Sequence, residues 1–297
     1  MGKTCTELFE GMDCTIIGNA DDVVEGIAYR SDQVKPGDAF FCIVGFTSDG
    51  HTYAQDAIDH GAKVLVVQRK VYLADATDVT EVVVSDTRKA MAEVSANFYD
   101  HPSRNLQLVG VTGTNGKTTT TYLVEHIARV AGKRTGVIGT VGTVIGDVHE
   151  KSAHTTPESP DLQHLLARMR DARCDVVAME VSSHALDLER TFGSQFAVTA
   201  FSNLTQDHLD YHHTFEPTSR PKRVCSGKTI RPAALSASTT SGAANCCAAA
   251  LRRATTSSPP VSTARRKSTR KTWRTIPRTR RSRSTCAARI TNSTTRS

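Results

Sequence analysis

Residues 106–120 read Leu-Gln-Leu-Val-Gly-Val-Thr-Gly-Thr-Asn-Gly-Lys-Thr-Thr-Thr. The apolar beginning of this stretch predicts a buried strand at 106–111, and the residues from about 117 to 131 predict a helix. The glycines between them permit a tight turn, so that backbone N–H groups and the helix N-terminus can cradle phosphates. Lys117 can reach the terminal phosphates, and the Thr118 hydroxyl can ligate Mg²⁺. An incidental Gly/Thr-rich turn is the alternative.

The residues after this turn predict more strands of the same sheet. Apolar runs at 136–138, 175–179 and 196–201 alternate with amphipathic stretches such as 162–169. That alternation indicates parallel strands joined by crossover helices. We therefore predict an α/β domain with a parallel sheet for residues 101–216.

Residues 1–100 predict a smaller α/β domain. Short apolar runs predict strands at 26–29, 39–44, 64–67 and 82–84. Between the second and third runs, apolar residues recur at helical spacing from Tyr53 to Ile58. A further helix is expected at 91–99, and His101 and Pro102 end it and mark the domain boundary.

The charge of the chain is divided unevenly. Residues 217–297 contain 19 Lys or Arg and no Asp or Glu, whereas residues 1–216 contain 18 basic and 30 acidic residues. The overall charge of +7 therefore combines an acidic front part with a basic tail, and it does not indicate a nucleic-acid partner for the whole chain. The tail is dominated by Ser, Thr, Ala and Arg, so it cannot bury enough apolar surface to order itself. We expect 217–297 to be disordered.

The sequence also predicts the cellular setting. No N-terminal segment resembles a signal peptide, and no apolar run approaches the roughly 20 residues that span a bilayer. We expect a soluble, cytoplasmic monomer. The cysteines lack metal-ligand or redox spacing and are expected to be reduced thiols; they are Cys5, Cys14, Cys42, Cys174, Cys225, Cys246, Cys247 and Cys286.

The phosphate-binding turn carries a family resemblance. Its Gly-Thr-Asn-Gly-Lys-Thr-Thr at 113–119 is similar to the loop of the Mur ligases and their relatives. Three further segments follow the order and spacing of that family: His-Thr-Thr-Pro-Glu at 154–158, Met-Glu-Val-Ser-Ser-His at 179–184 and Asn-Leu-Thr-Gln-Asp-His-Leu-Asp-Tyr-His at 203–212. The chain most resembles the tripeptide synthetases of this family, which add diaminopimelate or L-lysine to UDP-MurNAc-L-Ala-D-Glu. The resemblance implies a P-loop-type ATPase domain, ATP and Mg²⁺ as cofactors, and these two substrates as partners.

The resemblance assigns the nucleotide end of the site. It implies nucleotide-binding roles for Gly113, Thr114, Asn115, Gly116, Lys117, Thr118, Thr119 and Asn203. Catalytic roles are implied for Lys117, Glu180 and His208, and metal contacts for Thr118, Glu180 and His208. A carboxylate aimed at a phosphate-bound Mg²⁺ fits the preference of hard cations for oxygen ligands. The alternatives are a strand-end surface charge for Glu180 and a capping role for His208.

Two segments of the N-terminal domain resemble uridine-contacting loops of the family. They read Tyr-Arg-Ser-Asp-Gln-Val-Lys-Pro-Gly-Asp at 29–38 and Gly-Phe-Thr-Ser-Asp-Gly-His at 45–51. Arg30 and Asp32 stand where the family usually has Asp and Arg. The resemblance implies UDP-sugar contacts for Tyr29, Ser31, Phe46, Thr47 and Ser48, and acyl-dipeptide contacts for Thr155, Thr156, Ser182 and Arg190. Arg190 could hold an anion, because its guanidinium group can donate two parallel hydrogen bonds. For the segment at 29–38, an ordinary hairpin is the alternative to a uridine-contacting loop.

After Glu216 the resemblance stops. The family continues with a helix whose carbamylated Lys binds metal, whereas residues 217–226 read Pro-Thr-Ser-Arg-Pro-Lys-Arg-Val-Cys-Ser, and two prolines exclude a regular helix. Codons for these residues, read one base earlier, permit Ala-Tyr-Phe-Ala-Ala-Lys-Ala-Cys-Leu-Phe, which resembles the family's helix. We therefore expect a frameshift at or just before residue 217 and an out-of-frame tail. Lys222 would be a metal ligand only if carbamylated, and we expect the incomplete ATPase domain to be inactive.

Two other functions are compatible with parts of the sequence. A folylpolyglutamate or cyanophycin synthetase has the same kind of loop, although the folylpolyglutamate enzymes usually follow the Lys with Gly-Ser rather than Thr-Thr. The tail could instead be a genuine basic arm whose Arg and Lys residues contact nucleic-acid phosphates. A ligase-like reading frame that overlaps the codons of the tail would favour the frameshift, and its absence would favour a genuine basic arm.

Overall fold

The computed structural model describes residues 2–71, 78–203 and the pair Leu235–Ser236. Two main sheets are formed, one of five strands from the first 84 residues and one of seven strands from residue 107 onward. This confirms the predicted succession of a small α/β unit and a larger one. The boundaries predicted at 100 and 216 stay predictions.

The first sheet is mostly parallel. Its strands are β2 (Cys14–Ile17), β4 (Gly26–Ala28), β5 (Asp38–Phe41), β6 (Val64–Val67) and β7 (Thr80–Val84). Their order is β2-β7-β6-β5-β4, and only β2 runs antiparallel to its neighbour. Two short strands, β1 (Lys3–Thr4) and β3 (Val23–Val24), pair separately, and α1 (Cys5–Leu8) follows β1.

Helices cover both faces of this sheet because its central strands are apolar on both sides. Phe41 and Val66 pack in one cluster with α3 (Thr87–Phe98). Phe40 and Leu65 pack in the other cluster with α2 (Ala54–Asp59). Successive strand residues point to opposite faces, so an unbroken apolar run builds both layers.

The second sheet contains the four predicted parallel strands, a further short parallel strand (β14) and an unpredicted hairpin. The parallel strands are β8 (Gln107–Thr112), β9 (Thr135–Gly139), β12 (Val176–Glu180), β13 (Val198–Phe201) and β14 (Leu235–Ser236). Strands β10 (Gly142–Ile145) and β11 (Val148–Glu150) continue the sheet antiparallel. The order is β11-β10-β9-β12-β8-β13-β14. The sheet is thus parallel only from β9 to β14.

Three helices connect these strands. They are α4 (Lys117–Val130), α5 (Ser159–Asp171) and α6 (Ser183–Asp187). Leu162, Leu166 and Met169 of α5 are buried against Ile138 and Met179 of the sheet. α4 begins at the residue predicted from the sequence. In the described part of the chain, no helix is long and apolar enough to cross a membrane.

The parts of the chain that carry the two sheets touch each other. The Tyr29 hydroxyl donates to Asp161 Oδ2 at 2.9 Å, and Arg170 Nη1 donates to the Tyr99 carbonyl at 2.9 Å. Residue His101, which was predicted to end a helix, adopts a left-handed conformation with φ 46° before a 3₁₀ turn at Pro102–Asn105. The helix end predicted at this point is therefore followed by a sharp turn.

Two predictions about the tail and the thiols have partial outcomes. Leu235–Ser236 lies in the segment expected to be disordered but pairs with β13; the rest of 217–297 lies outside the described residues. Cys5, Cys14, Cys42 and Cys174 are free thiols, as predicted. The four cysteines of the tail are not among the described residues.

Candidate active site

The loop between β8 and α4 is held in place from the end of β13. The Thr114 N–H donates to the Asn203 carbonyl at 3.0 Å, and the Asn115 N–H donates to Asn203 Oδ1 at 2.9 Å. The Ser202 hydroxyl donates to the Asn115 carbonyl at 2.7 Å. A Cβ at Gly113, whose φ is 139°, would lie 2.1 Å from Ser202 Oγ. The close approach of two strand ends therefore requires glycine here.

The start of α4 offers positive partial charge to an anion. Gly116, with φ 83°, precedes the helix and carries no side chain that could cap it. Lys117 Nζ donates to the carbonyls of Gly113 at 3.0 Å and Thr114 at 2.9 Å, so the ammonium group lies over the loop. Backbone N–H groups of a first helical turn and an adjacent ammonium are the donors that a phosphate needs. Thr119, the next predicted contact, is exposed.

Glu180 is the buried acid of the site. It ends β12, its side chain lies inside the protein, and its relative exposure is 0%. Thr118 Oγ1 donates to Glu180 Oε2 at 3.0 Å, while the Thr140 N–H donates to Oε1 at 2.9 Å and the Thr140 hydroxyl to Oε2 at 3.1 Å. Because three donors converge on one carboxylate, the alternative of a strand-end surface charge is wrong.

The donor set fits Mg²⁺ in its chemistry. Glu180 and Thr118 supply carboxylate and hydroxyl oxygens, the ligand types that this cation prefers. Within residues 2–71 and 78–203 no group of three acidic, His or Cys side chains converges as a metal site. His208 and Lys222, the other predicted metal-side residues, lie outside the described residues. Glu180 and Thr118 are thus the described residues that could hold the ion.

The predicted acyl-dipeptide residues adjoin Glu180. The buried Thr156 hydroxyl donates to the Glu180 carbonyl at 2.8 Å and accepts the Ser182 N–H at 3.1 Å. Thr155 Oγ1 lies 3.0 Å from Thr140 Oγ1. The Ser182 hydroxyl accepts the Ala185 N–H at 3.1 Å and so caps α6. The structure brings these residues together at the carboxyl ends of β9 and β12.

Arg190 is engaged by the protein itself. Its Nη1 donates to the Thr156 carbonyl at 2.9 Å, and its Nη2 lies 2.6 Å from Glu158 Oε1. The predicted anion clamp is therefore paired with an internal carboxylate, and Arg88 of α3 lies 3.8 Å from the other oxygen of Glu158. The Glu158 side chain is 14% exposed.

The predicted uridine contacts lie on the first sheet's part of the chain. Ser31 begins a 3₁₀ turn, Ser31–Gln33. Tyr29 is half-buried, and its burial together with the nearby Asp161 carboxylate raises its pKa. Phe46 is 75% exposed at the tip of the loop 45–51.

The base of this loop is fixed. Arg69 and the His51 N–H groups hold the pKa of Asp49 well below its usual range. The Gly45 N–H donates to the Ser48 carbonyl at 2.9 Å, which closes the turn that contains Thr47.

Three residues of the site were missed by sequence reasoning. Thr140 and Ser202 contact the predicted residues directly, and Glu158 pairs with Arg190. Ser202 directly precedes the family-like segment at 203–212, and Glu158 is the last residue of the family-like segment at 154–158. Their closeness to these motifs could have indicated both residues. Thr140 lies in a turn with no motif, and no signal in the sequence pointed to it.

Together, a parallel sheet, a glycine-lined loop entering a helix and a buried acid on the adjacent strand define a P-loop-type α/β protein. Two family descriptions match the chain in succession: "Mur ligase family, catalytic domain" at residues 23–107 and "Mur ligase middle domain" at 111–223. The chain belongs to the Mur ligase family. The predicted resemblance is thereby confirmed.

Curated relatives agree with this assignment. The UDP-N-acetylmuramoyl-L-alanyl-D-glutamate–2,6-diaminopimelate ligase of Clostridium perfringens is 45% identical over 210 residues, which is 70% of this chain and 43% of the relative. The enzyme of that name from Geobacillus thermodenitrificans is 50% identical over 199 residues, 67% of this chain and 40% of the relative. The chain therefore spans less than half the length of these relatives.

Solved structures show the same fold. A structure of a UDP-N-acetylmuramoyl-L-alanyl-D-glutamate–2,6-diaminopimelate ligase matches with a TM-score of 0.73 at 24% identity and covers 85% of this chain and 50% of that one. A MurF structure from Acinetobacter baumannii matches with a TM-score of 0.58 at 19% identity over 85% of this chain and 52% of that one. These likenesses confirm the α/β fold class.

Proposed function

We propose that this chain is the front part of an ATP-dependent amide ligase of peptidoglycan precursor synthesis. The observation that carries the proposal is the 3.0 Å contact between Thr118 Oγ1 and Glu180 Oε2. It joins the phosphate-type loop to a buried acid at the strand ends, where ligands of open parallel sheets bind. The names of the relatives favour UDP-MurNAc-L-Ala-D-Glu and 2,6-diaminopimelate as substrates.

The proposed reaction has two steps. The side-chain carboxylate of D-Glu attacks the γ-phosphorus of ATP, which forms an acyl phosphate and releases ADP. The amine of the diamino acid then attacks the acyl carbon, and the tetrahedral intermediate expels phosphate to leave an amide. An activated carboxyl is needed because a carboxylate itself resists attack by an amine.

Residues of this chain would serve the first step. Lys117 and the first N–H groups of α4 would hold the phosphates and stabilise the charge that develops on the transferred group. Glu180 and Thr118 would hold Mg²⁺, which supplies further charge neutralisation when bound. Thr155, Thr156, Ser182 and Arg190 would orient the acyl-dipeptide, and Asn203 would fix the loop. The roles of His208 and Lys222 stay predictions.

A chimera tests the proposal in a complete enzyme. Residues 1–216 of this chain would be joined to the matching remainder of the Geobacillus thermodenitrificans relative. We expect ADP formation that requires both UDP-MurNAc-L-Ala-D-Glu and diaminopimelate, and we expect Lys117→Ala to abolish it. A folded chimera that forms no ADP with all substrates present would contradict the proposal.

A parallel assay separates the alternatives. A chimera that used lysine in place of diaminopimelate would correct the amino acid and leave the ligase assignment in place. A chimera that accepted a folate in place of the UDP-dipeptide would favour the folylpolyglutamate alternative. The basic-arm alternative concerns residues outside the described part of the chain.

A further inference from the structure

A chain of hydroxyl groups connects the predicted substrate side of the site to the buried acid. Thr155 Oγ1 lies 3.0 Å from Thr140 Oγ1, which in turn lies 3.1 Å from Glu180 Oε2. Thr140 also donates its backbone N–H to Glu180 Oε1 at 2.9 Å. Thr140 is therefore the link between the acid and the threonine expected to contact the acyl-dipeptide.

The direction of this chain follows from the chemistry of its end. The Thr140 hydroxyl donates to Glu180 Oε2, so the carboxylate oxygen is the acceptor of this hydrogen bond. The Thr140 hydroxyl must therefore spend its single proton on Glu180. Since that proton is committed, the contact between Thr140 and Thr155 forms only if Thr155 is the donor.

The Thr155 hydroxyl, at the outer end of this row of hydrogen-bonded hydroxyl groups, is then an acceptor. Thr155 has given its proton inward to Thr140, so it can offer a ligand only the lone pairs of its hydroxyl oxygen. A lone pair attracts an N–H or O–H group and repels a carboxylate. Thr155 is half-buried rather than sealed in the core, so a ligand can reach it.

The turn that carries Thr140 is shaped around Glu180. A Cβ at Gly139 would lie 2.3 Å from Glu180 Oε1 and 3.0 Å from its Cδ. Only a glycine lets the backbone come close enough for the Thr140 N–H and hydroxyl to bind the same carboxylate. Thr118 makes the third contact, so Glu180 keeps two donors from Thr140 if the Thr118 hydroxyl turns toward a metal-bound nucleotide.

We propose that Thr140 is a positioning residue: it polarises the hydroxyl of Thr155, which then accepts a peptide N–H of the acyl-dipeptide and does not bind its carboxylates. This rests on the proposed function, because the ligand is the peptide end of UDP-MurNAc-L-Ala-D-Glu. The buried Thr156 hydroxyl cannot take this role, since it already donates to the Glu180 carbonyl and accepts the Ser182 N–H.

Ester analogues of the substrate test the acceptor role. Two analogues of UDP-MurNAc-L-Ala-D-Glu would be made, each with an ester oxygen in place of one of the two peptide N–H groups, those of L-Ala and D-Glu. Binding to the full chain would be measured by calorimetry. We expect one ester to bind about tenfold more weakly than the amide, the effect of one lost hydrogen bond.

Variants then locate the source of this discrimination. Thr155→Val is expected to weaken binding of the amide and to abolish its advantage over the ester. Thr140→Val frees the Thr155 proton, so the advantage should fall toward onefold, whereas Thr140→Ser keeps the hydroxyl and should restore it. Thr143→Val is the matched control: Thr143 is a buried threonine of β10, and among the hydrogen bonds of the described residues none joins it to Glu180 or Thr155.

The outcomes separate this inference from the proposed function. If the unaltered chain binds the amide and both esters equally, or if Thr140→Val keeps the full discrimination, the hydroxyl chain has no such role while the ligase assignment stands. Absence of any binding of UDP-MurNAc-L-Ala-D-Glu would overturn both. If Thr140→Val does not fold, Thr140→Ala takes its place: a fall of the discrimination toward onefold supports the role of Thr140, and full discrimination contradicts it.

Discussion

The hydroxyl of Thr118, in the first turn of α4, donates to Glu180 Oε2 at the end of β12 across 3.0 Å. The two residues are separated by 62 positions in the sequence. They meet because β8 and β12 are parallel neighbours, paired from Val176 with Gln107 to Glu180 with Val111. Strand β12, the neighbour of β8 in the sheet, thus carries Glu180 to the first turn of α4.

Replacing Glu180 with Gln tests its proposed role toward Mg²⁺. The amide keeps the size of the side chain but loses the charge, so we expect nucleotide affinity to lose its dependence on Mg²⁺ and to retain the part due to Lys117. ATP affinity would be measured with Mg²⁺ and with a chelator. An equal benefit from Mg²⁺ in Glu180→Gln and the unaltered chain would contradict the role.

Replacing Gly139 with Ala tests the close approach of the turn to Glu180. The added Cβ would lie 2.3 Å from Glu180 Oε1, so the turn or the acid must move. We expect a loss of about 1–3 kcal/mol in the free energy of unfolding, the usual range for overpacking. Denaturant unfolding would measure it, with Val141→Ala, at a 70% exposed position of the same hairpin connection, as the control.

Buried thiols predict a loss of stability at high pH. Burial raises the pKa of Cys5 to about 11 and that of Cys42 to about 12, from an ordinary value of 9.0. Between pH 9 and the raised pKa of each thiol, the unfolded chain releases the thiol proton and the folded chain keeps it. The free energy of unfolding therefore falls as pH rises above 9. Unfolding curves from pH 8 to 11 would show the fall.

Cys42→Ala serves as the comparison for this pH effect. The variant lacks one of the three buried thiols among the described residues, so its stability should fall less steeply between pH 9 and 11. Identical slopes for the variant and the unaltered chain would show that Cys42 does not titrate on unfolding.

The frameshift hypothesis predicts a property of the gene. A ligase-like open frame should overlap the codons for residues 217–297, beginning with codons for a helix that bears a Lys. Sequencing the DNA across codon 217 would reveal it. If the other two frames contain no such sequence, the basic tail belongs to the protein's own frame.

The sequence predicted the parts of the fold that depend on continuous apolar runs. The strand at 64–67 and the start of α4 at Lys117 agree with the structure, since buried strands and a glycine-preceded helix leave clear patterns. The hairpin β10–β11 was missed because its strands, Gly-Thr-Val-Ile and Val-His-Glu, contain no apolar run longer than two residues.

The candidate site was predicted where motifs exist and missed where contacts are made by turns. Glu180 and Thr118 were expected together, but two of the three hydrogen bonds to the Glu180 carboxylate come from Thr140, which no motif marks. The fork of Arg190 was expected to face a ligand, yet Glu158 occupies one arm of it. A linear pattern cannot show such pairings, because they form between segments that only the sheet brings together.

The loop at 113–117 is proposed to bind the phosphates of ATP, and thermal unfolding of the chain with millimolar ATP and Mg²⁺ tests this binding. A ligand that binds only the folded state raises the melting temperature, and the stabilisation grows with the logarithm of the ratio of ligand concentration to Kd. We predict a rise for the unaltered chain, none for Lys117→Ala, and an unchanged rise for Lys133→Ala, which alters an exposed Lys beyond the end of α4. Unchanged melting of the unaltered chain, or an equal rise in Lys117→Ala, would contradict the account.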